Sequence, residues 1–188
     1  MADEMVLETQ QWLNNNYGNV LGFEKVKEDG KTGWPTIYAL IRGLQHELGI
    51  TELSDNFGTD TSNRFDTKIV PKFEIGYKSN VVRLIQYAFW CKGINPVQSG
   101  GEVTEYTLKA IKKLQSDAGF TNGDSKFDST WAKALFDMSA FVLVSGGDKT
   151  IRGLQQWLNV NYKEYFGILP CDGIYQRATN TALIYALQ

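Results

Sequence analysis

The sequence predicts an all-α protein of three tandem small three-helix units joined by Gly-rich loops. Three observations predict it. An amphipathic phrase with a central glutamine occurs three times, starting at Val6, Val82 and Ile151. A Gly-containing loop leading to a Thr and a second apolar helix follows each of them. A turn with a short third helix then closes the first two copies, placing the units at about 1–76, 77–146 and 147–188.

The first helix of each unit rests on periodicity. "VLETQQWLNNNY" (Val6–Tyr17) and "IRGLQQWLNVNY" (Ile151–Tyr162) align with the more diverged "VVRLIQYAFWCKG". Thr9, Ile85 and Leu154 stand at i+3, Gln10, Gln86 and Gln155 at i+4, and Leu13, Phe89 and Leu158 at i+7, which is one face of an α-helix. A glutamine repeated on an apolar face suggests a buried amide that satisfies backbone groups of the neighbouring loop.

The second helices follow "DGKTGWPTIYALIRGLQ" (Asp29–Gln45), "GGEVTEYTLKAIKKLQ" (Gly100–Gln115) and "DGIYQRATNTALIYALQ" (Asp172–Gln188). The middle copy is one residue shorter and lacks the Asp. Thr36, Thr107 and Thr179 are the expected N-caps. The closing segments "DNFGTDTSNRF" and "GDSKFDSTWAKALF" each read as a turn, a capping Ser or Thr and a short helix. The third copy stops at Gln188, the counterpart of Gln45 and Gln115, so a fragment of a longer protein is expected. "KIVPKFEIGYKSN" (Lys68–Asn80) is the best linker candidate, with "KFEIGY" able to form a short strand.

Composition narrows the function classes. A net charge of −2 with scattered basic residues argues against nucleic acid, which requires a dense basic face. No stretch approaches the roughly 20 apolar residues of a membrane span, so no membrane partner is expected. The acidic start "MADEMVLETQ" is not a secretory signal, which leaves synthesis inside the cell, export by another route, or a leader already removed. Cys91 and Cys171 read as free, small buried groups rather than a disulfide scaffold. Aromatics at 13% of residues, many beside Gly and Asn, leave room for exposed rings that stack on sugars.

Catalytic residues are not expected. The single histidine, His46, reads as a helix-surface residue, and with two distant cysteines it completes no zinc site or Cys–His pair. No two carboxylates are placed to flank a glycosidic bond. Neither a cofactor nor a metal is implied.

The phrases together resemble the peptidoglycan-binding domain family, small three-helix modules appended to bacterial and phage cell-wall hydrolases. The carrying residues are "VLETQQWL", "DGKTGWPT" and "LQHELGI" in the first copy, "VVRLIQYAF", "TLKAIKKLQSDAGF" and "STWAKALF" in the second, and "IRGLQQWL" and "DGIYQRAT" in the third. The middle copy departs at Gly100-Gly101, and the third at Gln176, where the family has Gly. The long first copy and the paired "QQWLN" phrases also resemble the N-terminal part of bacterial proteins that end in a glycoside-hydrolase-like barrel.

The resemblance implies a non-catalytic module that binds the glycan strand or the peptide stem of peptidoglycan. It would act outside the cell or at the wall, with a catalytic domain of the same polypeptide as its second partner. The alternative is a protein-interaction scaffold of the same fold without a saccharide site. The candidate ligand residues are Asp29, Gly30, Thr32 and Trp34 in the first copy, with Asn16 nearby, and Asp172, Gly173, Tyr175 and Arg177 in the third, beside Gln176. The competing reading makes each Asp-Gly a plain turn and lets Trp34 and Tyr175 cap the core. Trp12 and Trp157 are sugar platforms or, preferably, interface packing; Tyr17 and Tyr162 are similarly open.

Overall fold

The computed structural model describes residues 2–95 and 98–188. Every regular element among them is helical. The α-helices are α1 (Glu4–Tyr17), α2 (Trp34–Glu47), α3 (Thr59–Lys68), α4 (Asn80–Cys91), α5 (Glu105–Asp117), α6 (Ser129–Leu135), α7 (Lys149–Phe166) and α8 (Arg177–Leu187). Extended pairing among the described residues is limited to one antiparallel bridge, Lys78 to Glu102. The expected linker is thus structured: Val70–Lys72 forms a 3-10 turn, Phe73 packs on Phe127, and Gly76 donates to the Val103 carbonyl.

The chain forms two compact units, Met1–Ala110 with Phe127–Met138, and Ile111–Lys126 with Ser139–Gln188. In the first unit α4 packs against α1, α2 and α6, and α3 packs on α6. This explains the divergence of the middle phrase. A helix covered on several sides must be apolar nearly all round, and α4 buries Val81, Val82, Leu84, Ile85, Tyr87, Ala88, Phe89 and Trp90. Each fully buried Leu, Ile or Phe stabilises by about 1.5–3 kcal/mol before entropy is counted. Phe65, Phe73 and Phe89 gather around Phe127, and Phe57 meets Phe136. Asp66 on α3 accepts both the backbone N–H (2.8 Å) and the hydroxyl (2.7 Å) of Ser129 at the start of α6, where an anion complements the helix dipole.

In the second unit α7 packs on α8 around Leu158, Leu169 and Ala182, flanked by Leu154, Tyr162, Phe166, Leu183 and Ala186. Arg152 ties three backbone carbonyls together, those of Cys171 (3.0 Å), Asp117 (3.2 Å) and Phe141 (3.1 Å). Buried Asn159 accepts from the Leu169 N–H at 2.7 Å and donates to the carbonyls of Leu169 and Ala118.

The expected caps are corrected by the structure. Thr36, Thr107 and Thr179 each sit at the third residue of their helix, not before it. Gly33 and Gln176 precede α2 and α8 without a side-chain cap, and the Thr104 hydroxyl accepts from Thr107 N–H at α5. Helices α3 and α6 are preceded by Gly58 and Asp128, not by Ser or Thr. The physical reason for the threonines is that their hydroxyls turn inward, to the repeated glutamine.

Candidate functional site

One hydrogen-bonded cradle recurs around that glutamine. The Gln10 carboxamide on α1 accepts from the N–H groups of Asp29 (2.9 Å) and Gly30 (2.8 Å) and donates to the Lys31 carbonyl (3.1 Å) and the Thr36 hydroxyl (3.1 Å). Gln86 accepts from Gly101 N–H (2.9 Å) and donates to the Glu102 carbonyl (2.9 Å) and Thr107 hydroxyl (3.2 Å). Gln155 accepts from Gly173 N–H (2.9 Å) and donates to the Ile174 carbonyl (3.0 Å) and Thr179 hydroxyl (3.2 Å). A carboxamide carries two donors and an acceptor, so one buried side chain can serve both polarities of a loop backbone.

The loop is closed from its other side. Gly30, Gly101 and Gly173 adopt φ of 65°, 74° and 81°. Their carbonyls accept from the backbone N–H of the residue that caps the preceding helix, Asp3 (2.9 Å), Ser79 (2.9 Å) and Asp148 (2.8 Å). Asp29 Oδ1 accepts from Lys31 N–H at 3.0 Å and from Gln10, and Asp172 Oδ1 accepts from Ile174 N–H at 2.9 Å and from Gln155. The Lys31 N–H, aided by the Gln10 amide and nearby lysines, holds the Asp29 carboxyl below the usual carboxylate range against a smaller opposing effect of desolvation. Asp29, Gly30, Asp172 and Gly173 are therefore engaged in the turn itself.

The first loop delivers Trp34 at the start of α2. Trp34 is 46% exposed and stacks on Tyr38 one turn later, with centroids 5.4 Å apart and planes 26° from parallel. The two rings open onto a groove of about 470 Å³ whose other walls are Ile41, the turn Asp55–Gly58, and Lys133, Phe136 and Asp137 from the end of α6. That turn is held by side chains of α2. Gln45, at the end of α2, accepts from Ser54 N–H (2.8 Å) and donates to the Asn56 carbonyl (2.9 Å). Arg42 pairs with Asp55 at 2.7 Å. A stacked aromatic pair beside carboxylate, amide and ammonium groups presents a face for sugar C–H bonds and partners for hydroxyls or amides.

Residues 144–188 match the family model for the FadG/YbfG, PGDB-like domain. The matched stretch contains one whole cradle: α7 with Gln155, the Asp172–Gly173 loop, and α8. The chain is 52% identical over 188 residues to the uncharacterized protein YbfG of Bacillus subtilis (strain 168), covering 100% of this chain and 26% of that protein. It is 42% identical over 188 residues to the uncharacterized protein FadG of the same organism, covering 99% of this chain and 33% of that protein. The chain thus spans about a quarter to a third of the length of these curated relatives. No solved structure matches it significantly.

Trp34 lines the groove, while its sequence neighbours turn elsewhere. Asp29 and Gly30 face Gln10, and Thr32 lies beside the Cys91 thiol. Asn16 donates to the Trp12 carbonyl. In the third copy Tyr175 is half-exposed with its hydroxyl on Asn180, and Arg177 is exposed at the start of α8. The two repeated tryptophans diverge. Trp12 packs on Tyr17 and Tyr87, whereas Trp157 is 49% exposed and meets Tyr162 edge-on. Sequence reasoning missed Tyr38, Asp55, Asn56, Lys133 and Asp137; only the Gln45 register hinted that the turn before α3 is held like the first loop.

Among the described residues no three His, Cys, Asp or Glu side chains approach as a metal site. His46 is exposed on α2, and Cys91 and Cys171 are both free thiols. No described helix is long and apolar enough to cross a membrane.

Beside the groove, Lys92 Nζ donates to the Asp137 carbonyl at 2.6 Å. Burial pushes this ammonium down to about 8, opposed by the Asp137 carboxylate. Between about pH 8 and the ordinary lysine value of 10.5 the unfolded chain holds a proton that the folded chain has lost, so stability rises with pH. Burial pushes Cys91 up to about 11 from 9.0 and Tyr87 up to about 12 from 10.0. Those groups keep a proton in the folded state, so above about pH 9 they act in the opposite direction. Burial also pushes Cys171 up to about 12 from 9.0, so urea midpoints should rise by less than about 1 kcal/mol equivalent from pH 8 to 9 and fall above about pH 9. Lys92→Met should abolish the rise; a rise of the same size in that variant would assign it to another group.

Proposed function

We propose that this chain is a non-catalytic peptidoglycan-binding module of three tandem peptidoglycan-binding-like units, about 1–76, 77–146 and 147–188. The exposed Trp34–Tyr38 pair in its polar-walled groove carries this reading. The PGDB-like match at 144–188 and the recurrence of the amide cradle at Gln10, Gln86 and Gln155 support it. The ligand is a glycan strand or peptide stem of the wall, the setting is extracellular or wall-associated, and the second partner is a hydrolytic domain of the same polypeptide. Binding concentrates that enzyme at its substrate, with weak contacts adding through multivalency.

Co-sedimentation with purified sacculi tests the reading. The chain should pellet at low and moderate salt, and Trp34→Ala should weaken retention by roughly tenfold, the scale of one lost aromatic stacking contact of about 1.4 kcal/mol. Retention unchanged in Trp34→Ala with folding intact would place the wall contact elsewhere on the chain, and failure of the native chain to pellet would favour the protein-interaction scaffold.

A further inference from the structure

A second groove lies on the first unit, between α1 and α4, and it is independent of the Trp34 groove. Its walls, enclosing about 430 Å³, include Glu8, Trp12, Arg83, Tyr87 and Ser99. Two opposite charges face it without neutralising each other. The Arg83 guanidinium lies over the Trp12 indole, 5.5 Å from the ring centroid, and among the described residues donates one hydrogen bond, to the Gly100 carbonyl at 3.1 Å. Its Nε is buried with no hydrogen-bond partner among the described residues. Glu8 Oε1 accepts from the hydroxyls of Ser99 (2.9 Å) and Tyr87 (3.3 Å), and among the described residues the carboxylate pairs with no cation.

The buried Nε is closed to a ligand, but a guanidinium fork that gives a single hydrogen bond to the fold keeps donors that match a carboxylate. Glu8 is fixed by two hydroxyls in the same groove, yet it and Arg83 form no ion pair with each other. Internal pairing would be the cheapest solution, so the fold holds open a site complementary to a ligand that brings both signs. Gln11 and Asn15, one turn apart on α1, add exposed amides to the rim.

We propose that this groove binds a small zwitterion, an amino acid or short peptide with free termini, its carboxylate on Arg83 and its ammonium on Glu8. A neutral saccharide would leave both charges unpaired, and an anion alone would meet Glu8.

The test is an NMR titration of the full chain with dialanine, read at the Trp12 indole N–H, which Trp12→Phe assigns. Dialanine should shift that signal saturably. N-acetyl-dialanine and dialanine amide should each bind at least about tenfold more weakly, as should dialanine to Glu8→Gln and Arg83→Gln. Glu8→Gln keeps an acceptor for Ser99 and Tyr87, so it remains informative if Arg83→Gln fails to fold. Trp34→Ala should leave the titration unchanged, which separates this site from the wall-binding reading. No saturable shift, equal responses to the blocked peptides, or full binding by Glu8→Gln would overturn the proposal.

Discussion

Gln10→Leu should lower the stability of the first unit by about 3–5 kcal/mol. The substitution keeps the volume and removes the amide. The N–H groups of Asp29 and Gly30 and the Lys31 carbonyl then lose the side chain that pairs them, at about 1–3 kcal/mol for each group left unsatisfied, most of all for the buried Gly30 N–H. Apolar replacement of a buried polar group is harmless only when its partners also change, and here the partners are backbone. Gln86→Leu should behave similarly, with fewer bonds lost. The control is Gln11→Leu on the exposed face of α1, expected within about 0.5 kcal/mol of the native chain. Urea unfolding of the three variants decides the matter; equal midpoints for Gln10→Leu and Gln11→Leu would mean that the cradle does not hold the loop.

The adjacent pair Gly100 and Gly101 supplies the second large effect. Gly101 has φ of 74°, and a Cβ there would lie 2.9 Å from the Ser79 carbonyl oxygen. Alanine in the left-handed region costs about 1–2 kcal/mol before any collision. The carbonyl cannot yield freely, because its residue caps α4 and donates to the same glycine. Gly101→Ala should therefore cost about 2–4 kcal/mol. Gly100→Ala meets nothing within 4 Å and should be close to neutral. Thermal unfolding of the two variants should differ by several degrees; coincident melting curves would show that the loop relaxes around the new methyl group. Gly173, whose Cβ would lie 2.7 Å from the Asp148 carbonyl oxygen, repeats the arrangement in the second unit.

Much of the helical content and the role of the glutamine were legible because both are local. Spacing at i, i+3, i+4 and i+7 fixed the buried faces, and a polar residue kept on such a face has to bond to something nearby. The threonines misled for an equally local reason. A Thr that caps a helix and a Thr at the third position that accepts a buried amide sit in the same kind of loop-to-helix sequence. Only the direction of the hydroxyl separates them.

The groove was legible in Trp34 and not in its walls. Asp55, Asn56, Lys133 and Asp137 reach it from segments distant in sequence, because α3 and α6 pack together and carry their flanking turns with them. No spacing rule links position 34 to position 133. Trp12 and Trp157 show the same limit, since one phrase yields a packed ring where α4 covers it and an exposed ring on α7.

The wall-binding proposal meets its most direct test at the ring on which it rests. Soluble muropeptides added to the labelled chain should shift the Trp34 indole N–H and the Tyr38 ring signals saturably, while the indole of Trp131, buried in α6, stays in place. Saturable shifts at those two rings are the predicted result. Unmoved Trp34 and Tyr38 signals at concentrations where sacculi retain the chain would contradict it and place the contact elsewhere on the molecule.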